Sequence, residues 1–135
     1  MRKTCLIAVV ALALSGPVQS QSADSLIQGV IGDQIEAFRA DDFATAFTFA
    51  SPMIQSMFGT PENFGRMVQQ GYPMVWRPAD VRFGGLTERQ GRLFQSVVIT
   101  DVGGRGHLLE YEMIPTGDAW EINGDRFLPQ DALGA

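Results

Sequence analysis

The sequence predicts an α+β domain, with a block of helices followed by an antiparallel sheet. Three observations carry that prediction. From Asp24 to Gly71 apolar residues recur at three- and four-residue spacing, and after Tyr72-Pro73 the spacing shortens to two. Three helix-capping signals crowd between Asp42 and Pro61. Short clusters of Gly, Asp and Asn then separate the strand-like runs. Helices first and strands afterwards place the helices on one face of a common sheet.

The chain has 135 residues, enough for one domain. Its start reads as an export leader over residues 1–20. Arg2 and Lys3 form a basic segment, Cys5 to Leu14 is uninterruptedly apolar, and Gly16-Pro17 breaks any helix. Val18 and Ser20 then supply small residues for cleavage before Gln21. The apolar run is too short to span a bilayer, which takes roughly 20 residues. Residues 21–135 are expected to form the single mature domain, periplasmic or secreted. Losing Arg2 and Lys3 but no acidic residue moves the formal charge from −5 to −7. That balance excludes nucleic acid and anionic membrane surfaces as favoured partners. Cys5 is the only cysteine, so the mature domain holds no disulfide and depends on core packing. Arg77, Arg82, Arg89 and Arg92 fall in one segment and read as scattered, solvated side chains.

From Asp24, residues Leu26, Ile27, Val30, Ile31, Ile35 and Phe38 form one apolar helix face. Ser22 or Asp24 can cap its start. Gly29 and Gly32 predict either fraying or the close approach of another backbone. Asp42 caps a second short helix carrying Phe43 and Phe47. Ser51-Pro52 and Thr60-Pro61 open two more, at roughly 52–58 and 61–70, with Gly59 and Gly71 as left-handed stops.

Then come the strands: a short MVW segment (74–76), Val81 to Leu86, Leu93 to Thr100, His107 to Ile114, Ala119 to Asn123 and Arg126 to Leu128. Turns are expected at 101–104, 116–118 and 123–125. On the fourth run, Leu109, Tyr111 and Met113 share a face with His107. Glu110 and Glu112 share the other, which the alternation directs to solvent.

AFRADDFATAFTFASP (37–52), FGTPENFGRMV (58–68), YPMVWRP (72–78) and WEING (120–124) together resemble the NTF2-like superfamily. Within it they are similar to a bacterial family described only as a domain of unknown function, DUF4864. The resemblance implies a cone, with N-terminal helices packed on a strongly curved antiparallel sheet. It implies no activity, because the superfamily holds isomerases, dehydratases, epoxide hydrolases and non-catalytic binding or dimerisation modules.

Candidate chemistry rests on Tyr72, Asp101, His107, Glu110, Tyr111 and Glu112. A carboxylate in an apolar pocket beside a tyrosine suits proton abstraction next to a carbonyl. The strand register, however, turns Glu110 and Glu112 away from the tyrosine. No residues have metal-ligand spacing, since His107 is the only histidine, and no glycine-rich run opens a helix after a strand. Neither a metal nor a cofactor is expected, and no catalytic residue is assigned. The abundant Phe and Met of the helical half can line an adaptable apolar pocket. The candidate pocket residues are Tyr72, Trp76, His107, Tyr111 and Met113. The expected function is non-catalytic binding of a small apolar ligand or a protein partner, with homodimerisation through the sheet. The alternative is an isomerase or hydrolase acting in the cone.

Overall fold

The first four helices each start where a side chain accepts a hydrogen bond from a free N–H group of the first turn. The computed structural model describes residues 22–129, so the leader expected at 1–20 lies outside the described residues. Ser22 caps α1 (Ala23–Arg39), which buries Ile27, Ile31, Gln34, Ile35, Ala37 and Phe38. A Cβ added at Gly29 or Gly32 would meet nothing within 4 Å, so no backbone approaches there. Asp41, with φ 55°, turns the chain, and the Asp42 carboxylate accepts from the Thr45 N–H (3.1 Å) to start α2 (Phe43–Thr48). Ser51 and Thr60 cap α3 (Pro52–Phe58) and α4 (Pro61–Gly71), each with proline in the first helical turn. Gly59 stops α3 at φ 78°, whereas Gly71 ends α4 inside the helix and Tyr72 is the cap.

The MVW segment is not a strand. Tyr72 O accepts from the Val75 and Trp76 N–H groups, closing one helical turn, α5 (Pro73–Trp76), with Met74 and Val75 buried. Three apolar residues in a row fit either period, and it is their packing, with Met74 and Val75 buried in the core, that settles them as helix.

Four strands follow: β1 (Pro78–Arg89), β2 (Arg92–Asp101), β3 (Gly106–Thr116) and β4 (Ala119–Phe127). They pair antiparallel in the order β1-β2-β3-β4. Gln90 and Gly91, both at positive φ (52° and 76°), make the two-residue turn between β1 and β2. Asn123-Gly124-Asp125 does not turn the chain. Glu112 pairs with Gly124 and Met113 with Ile122, so Asn123 is an extra residue bulged into one continuous β4. The α+β layering is as expected, but the sheet is not strongly curled. One of the expected strands is helix and two others are a single strand, so the sheet has four strands among the described residues.

Val97, Ile99, Leu109, Tyr111, Met113 and Ile122 point from the sheet into a core shared with Ile27, Ile31, Ile35 and Phe38 of α1. Phe64 of α4 sits among Phe38, Phe47 and Phe58 at ring separations of 5.8, 5.3 and 5.7 Å. These spacings favour tilted aromatic pairs.

Candidate functional site

Between this aromatic cluster and β4 the core is not filled. A cavity of about 220 Å³ remains. Phe38 of α1, Phe58 of α3 and Phe64, Met67 and Val68 of α4 form one side of its wall. Gln34, Tyr72 and Asp125 supply its polar groups. Gln34 is fixed by donating from Nε2 to the Ala46 carbonyl (3.2 Å).

The bulge in β4 decides which carboxylate reaches this space. Ile122 faces the helices, and simple alternation would send Gly124 inward and Asp125 outward. The extra residue reverses the alternation, so Asp125 lies opposite Tyr111 on the helix side and Arg126 lies opposite Glu110 on the other. Although Asp125 as a residue is partly exposed, its Oδ1 is closed off from solvent and has no hydrogen-bond partner among the described residues. The Tyr111 hydroxyl is likewise buried and unpartnered. Burial pushes the Asp125 carboxyl up to about 8. Burial foremost, then the Asp125 charge and Tyr72, pushes the Tyr111 phenol well above its ordinary value. Tyr72 is raised by burial and then by Asp125, and its hydroxyl donates to the Asp125 backbone carbonyl (3.3 Å). Its ring stacks on Phe127 at 5.1 Å.

The outer face of the sheet holds the carboxylates that the strand pattern directs to solvent. Glu110 is on that face but is only 5% exposed. Arg89 bonds both of its carboxylate oxygens, and Arg126 approaches Oε1 at 2.9 and 3.0 Å. The Arg89 hydrogen bond, chiefly, holds the Glu110 carboxyl below its ordinary value. Glu112 pairs with Arg92 (2.6 Å) and accepts from Asn123 Nδ2 (3.0 Å). Arg77 and Arg82 are paired too, with Asp41 and Asp80. The arginines of this segment thus each have a carboxylate, and none enters the cavity.

The residues singled out from the sequence divide among three places. Tyr72 lines the cavity, and Tyr111 meets Asp125 beside it. Met113 is core, 1% exposed. Trp76 and His107 line a separate depression with Met74, Arg77 and Asp101. There His107 Nε2 lies 2.8 Å from Asp101 Oδ2, and that bond is the main cause of a lowered Asp101 carboxyl. The Trp76 indole donates to Asp41 (2.8 Å). Sequence reasoning missed Asp125 because Asn-Gly-Asp carries a turn signature. The available signal was apolar Trp120, Ile122 and Phe127 on both sides of it, as in one bulged strand. Among the described residues no three His, Cys, Asp or Glu side chains converge to hold a metal ion.

A model of a domain of unknown function, DUF4864, matches residues 20–134. The chain belongs to the DUF4864 family. Among solved structures, this DUF4864 domain is similar to the solution structure of a SEC-C motif containing protein from Rhodopseudomonas palustris. The likeness covers 78% of this chain and 91% of the other, at 11% identity and a TM-score of 0.51, so it concerns the fold alone. No curated protein matches the sequence. No helix among the described residues is long and apolar enough to cross a membrane. What the DUF4864 domain offers chemically is an aromatic enclosure with one carboxyl and one phenol lacking protein partners.

Proposed function

We propose that this chain is an exported, periplasmic or secreted NTF2-like domain that binds a small, largely apolar molecule without transforming it. Residues 1–20 are its leader and 21–135 its single domain. The observation that supports this reading is the cavity of about 220 Å³ lined largely by apolar side chains, with the Asp125 carboxyl on its wall and the Tyr111 hydroxyl next to that residue across the ladder, each carrying a buried oxygen without a partner among the described residues. A buried, unpaired polar atom costs about 1–3 kcal/mol, which a ligand hydrogen bond recovers. Native mass spectrometry of protein purified from a bacterial envelope tests it. The expected spectrum shows a chain beginning at Gln21 with a constant small-molecule adduct, lost in Val68→Phe, which fills the cavity. The same spectrum reads a homodimer paired through the sheet. A bare chain that also fails to bind the neutral dye Nile red overturns the reading and moves the weight to a protein partner.

One observation favours a second reading, acid–base isomerisation or hydrolysis in the cavity. Asp125 and Tyr111 are neighbours on adjacent strands, and a carboxylate beside a phenol can move a proton next to a carbonyl while the phenol holds its oxygen. On this reading Asp125→Asn abolishes turnover and retains binding. Absence of turnover across a panel of ketones and esters that bind removes it.

A further inference from the structure

We infer that the cavity takes a small organic cation, a primary or methylated ammonium carried on an apolar body. The inference rests on the ligand-binding reading above and names its ligand class. Four aromatic rings, Phe38, Phe58, Phe64 and Tyr72, contribute to the wall. Aromatic faces attract ammonium groups, more strongly once water is excluded. The one carboxyl on the wall, Asp125, meets no cation within the cavity, because among the described residues no Arg, Lys or His lines it. Asp125 also borders a depression on the outer face of the sheet, where Arg89 and Arg126 lie. Arg126, its chain neighbour, is turned to the outer face and bound with Arg89 to Glu110. Once ionised, a buried carboxylate needs a counter-charge, and on the cavity side a cationic ligand would bring one. An ammonium offers up to three N–H donors, and Asp125 Oδ1 and the Tyr111 hydroxyl are acceptors left unused. An apolar acid is disfavoured, since its carboxylate would meet another carboxyl with no donor cation nearby.

The proton balance separates this ligand from a neutral one. In the cavity the polar groups near Asp125 are Tyr111 from β3, Tyr72 between α4 and α5, and Gln34 from α1, while α3 contributes apolar side chains. On the outer side Arg89, Glu110, Glu112 and Arg126 share a depression with it, Arg89 and Arg126 bound to Glu110 and Glu112 to Arg92. Below about pH 8 the empty site holds its proton on Asp125. An ammonium binds the ionised form, so that proton leaves to solvent and binding tightens as pH rises. A carbonyl or hydroxyl ligand accepts from the protonated carboxyl, and its binding weakens as pH rises.

Calorimetric titration of the purified protein with three probes of similar shape tests the inference: phenethylammonium, 2-phenylethanol and phenylacetate. The expected result is phenethylammonium tighter than 2-phenylethanol by about tenfold or more at pH 8. Its affinity should rise between pH 6 and 8, with about one proton released per ligand at pH 6.5 when buffers of different ionisation enthalpy are compared. Phenylacetate should bind most weakly. Asp125→Asn should remove both the preference and the proton release. Should that variant not fold, Phe58→Leu tests the aromatic wall, and phenethylammonium should weaken more than 2-phenylethanol. Tighter binding of 2-phenylethanol, or affinity falling with pH, overturns the cation inference and leaves the cavity reading standing. Failure of all three probes and of Nile red overturns both.

Discussion

Tyr111 and Asp125 face each other across the β3–β4 ladder, and each carries into the helix-covered side of the sheet a buried oxygen that no protein group satisfies. Most buried polar atoms in folded proteins are hydrogen-bonded. Two exceptions side by side, at the end of an unfilled cavity, mark the place where the fold gives up stability. That arrangement has a direct consequence for pH dependence.

Asp125 should make the protein less stable as pH rises. Its carboxyl titrates near 3.8 when unfolded and at about 8 when folded. Between those values the unfolded chain ionises while the folded one keeps its proton, so the stabilisation present in acid is lost through this window and levels off above about pH 8. The contribution is on the order of 5 kcal/mol across the window. Asp125→Asn should flatten the decline, as read by urea unfolding from pH 4.5 to 8.5. Equal slopes in the two proteins would remove Asp125 as the cause.

Glu110 should act with the opposite sign. Its lowered carboxyl pKa contributes stability that is present above the unfolded value and disappears as pH falls through the folded one. The acid limb below about pH 4.5 should therefore shrink in Glu110→Gln. At pH 7 that substitution should cost about 1–3 kcal/mol, a buried-pair loss moderated by solvent around the two arginines. An unchanged urea midpoint would show the cluster to be energetically idle.

Gly65 tests the packing of α2 on α4. A Cβ there would lie 2.6 Å from the Phe43 ring. Alanine gains about 1 kcal/mol of helix propensity but forces a rigid ring to move, at about 1–3 kcal/mol. Gly65→Ala should lower stability on balance, while Gly29→Ala, with open space around it, should raise it by up to about 1 kcal/mol. Thermal melts of the two variants should shift in opposite directions.

Ser51 joins the helices to the sheet. Its hydroxyl accepts from the Ile54 N–H (3.3 Å) as the α3 cap and donates to Asn123 Oδ1 (2.7 Å) at the β4 bulge. Ser51→Ala should cost about 2 kcal/mol, since it removes a cap and a hydrogen bond to the half-buried Asn123. Amide exchange should quicken at both α3 and residues 122–125. Faster exchange at α3 alone would mean that the bulge holds without this bond.

By itself the sequence determined the first four helices and their starts. Asp42, Ser51 and Thr60 cap the helices they precede because capping is local chemistry, settled within three residues of chain. A β-branched, apolar run likewise determined β2, and period-2 alternation determined β3 and put Tyr111 in the core, since a strand's two faces are fixed by the pleat. Gln34, a polar residue on the apolar stripe of α1, could be read as buried only once its bond to Ala46 was in place. Tertiary structure alone decided whether Met74-Val75-Trp76 coiled or extended, and whether Asn123-Gly124-Asp125 turned or bulged. Both segments are too short to carry a period, and their partners lie far along the chain: Ser51 for Asn123, Tyr111 for Asp125. The bulge inverts the faces of every residue after it, so a single inserted residue sends Asp125 to the cavity and Arg126 to Glu110. The site exists because of that inversion, a property of how two strands pair rather than of either strand's own sequence.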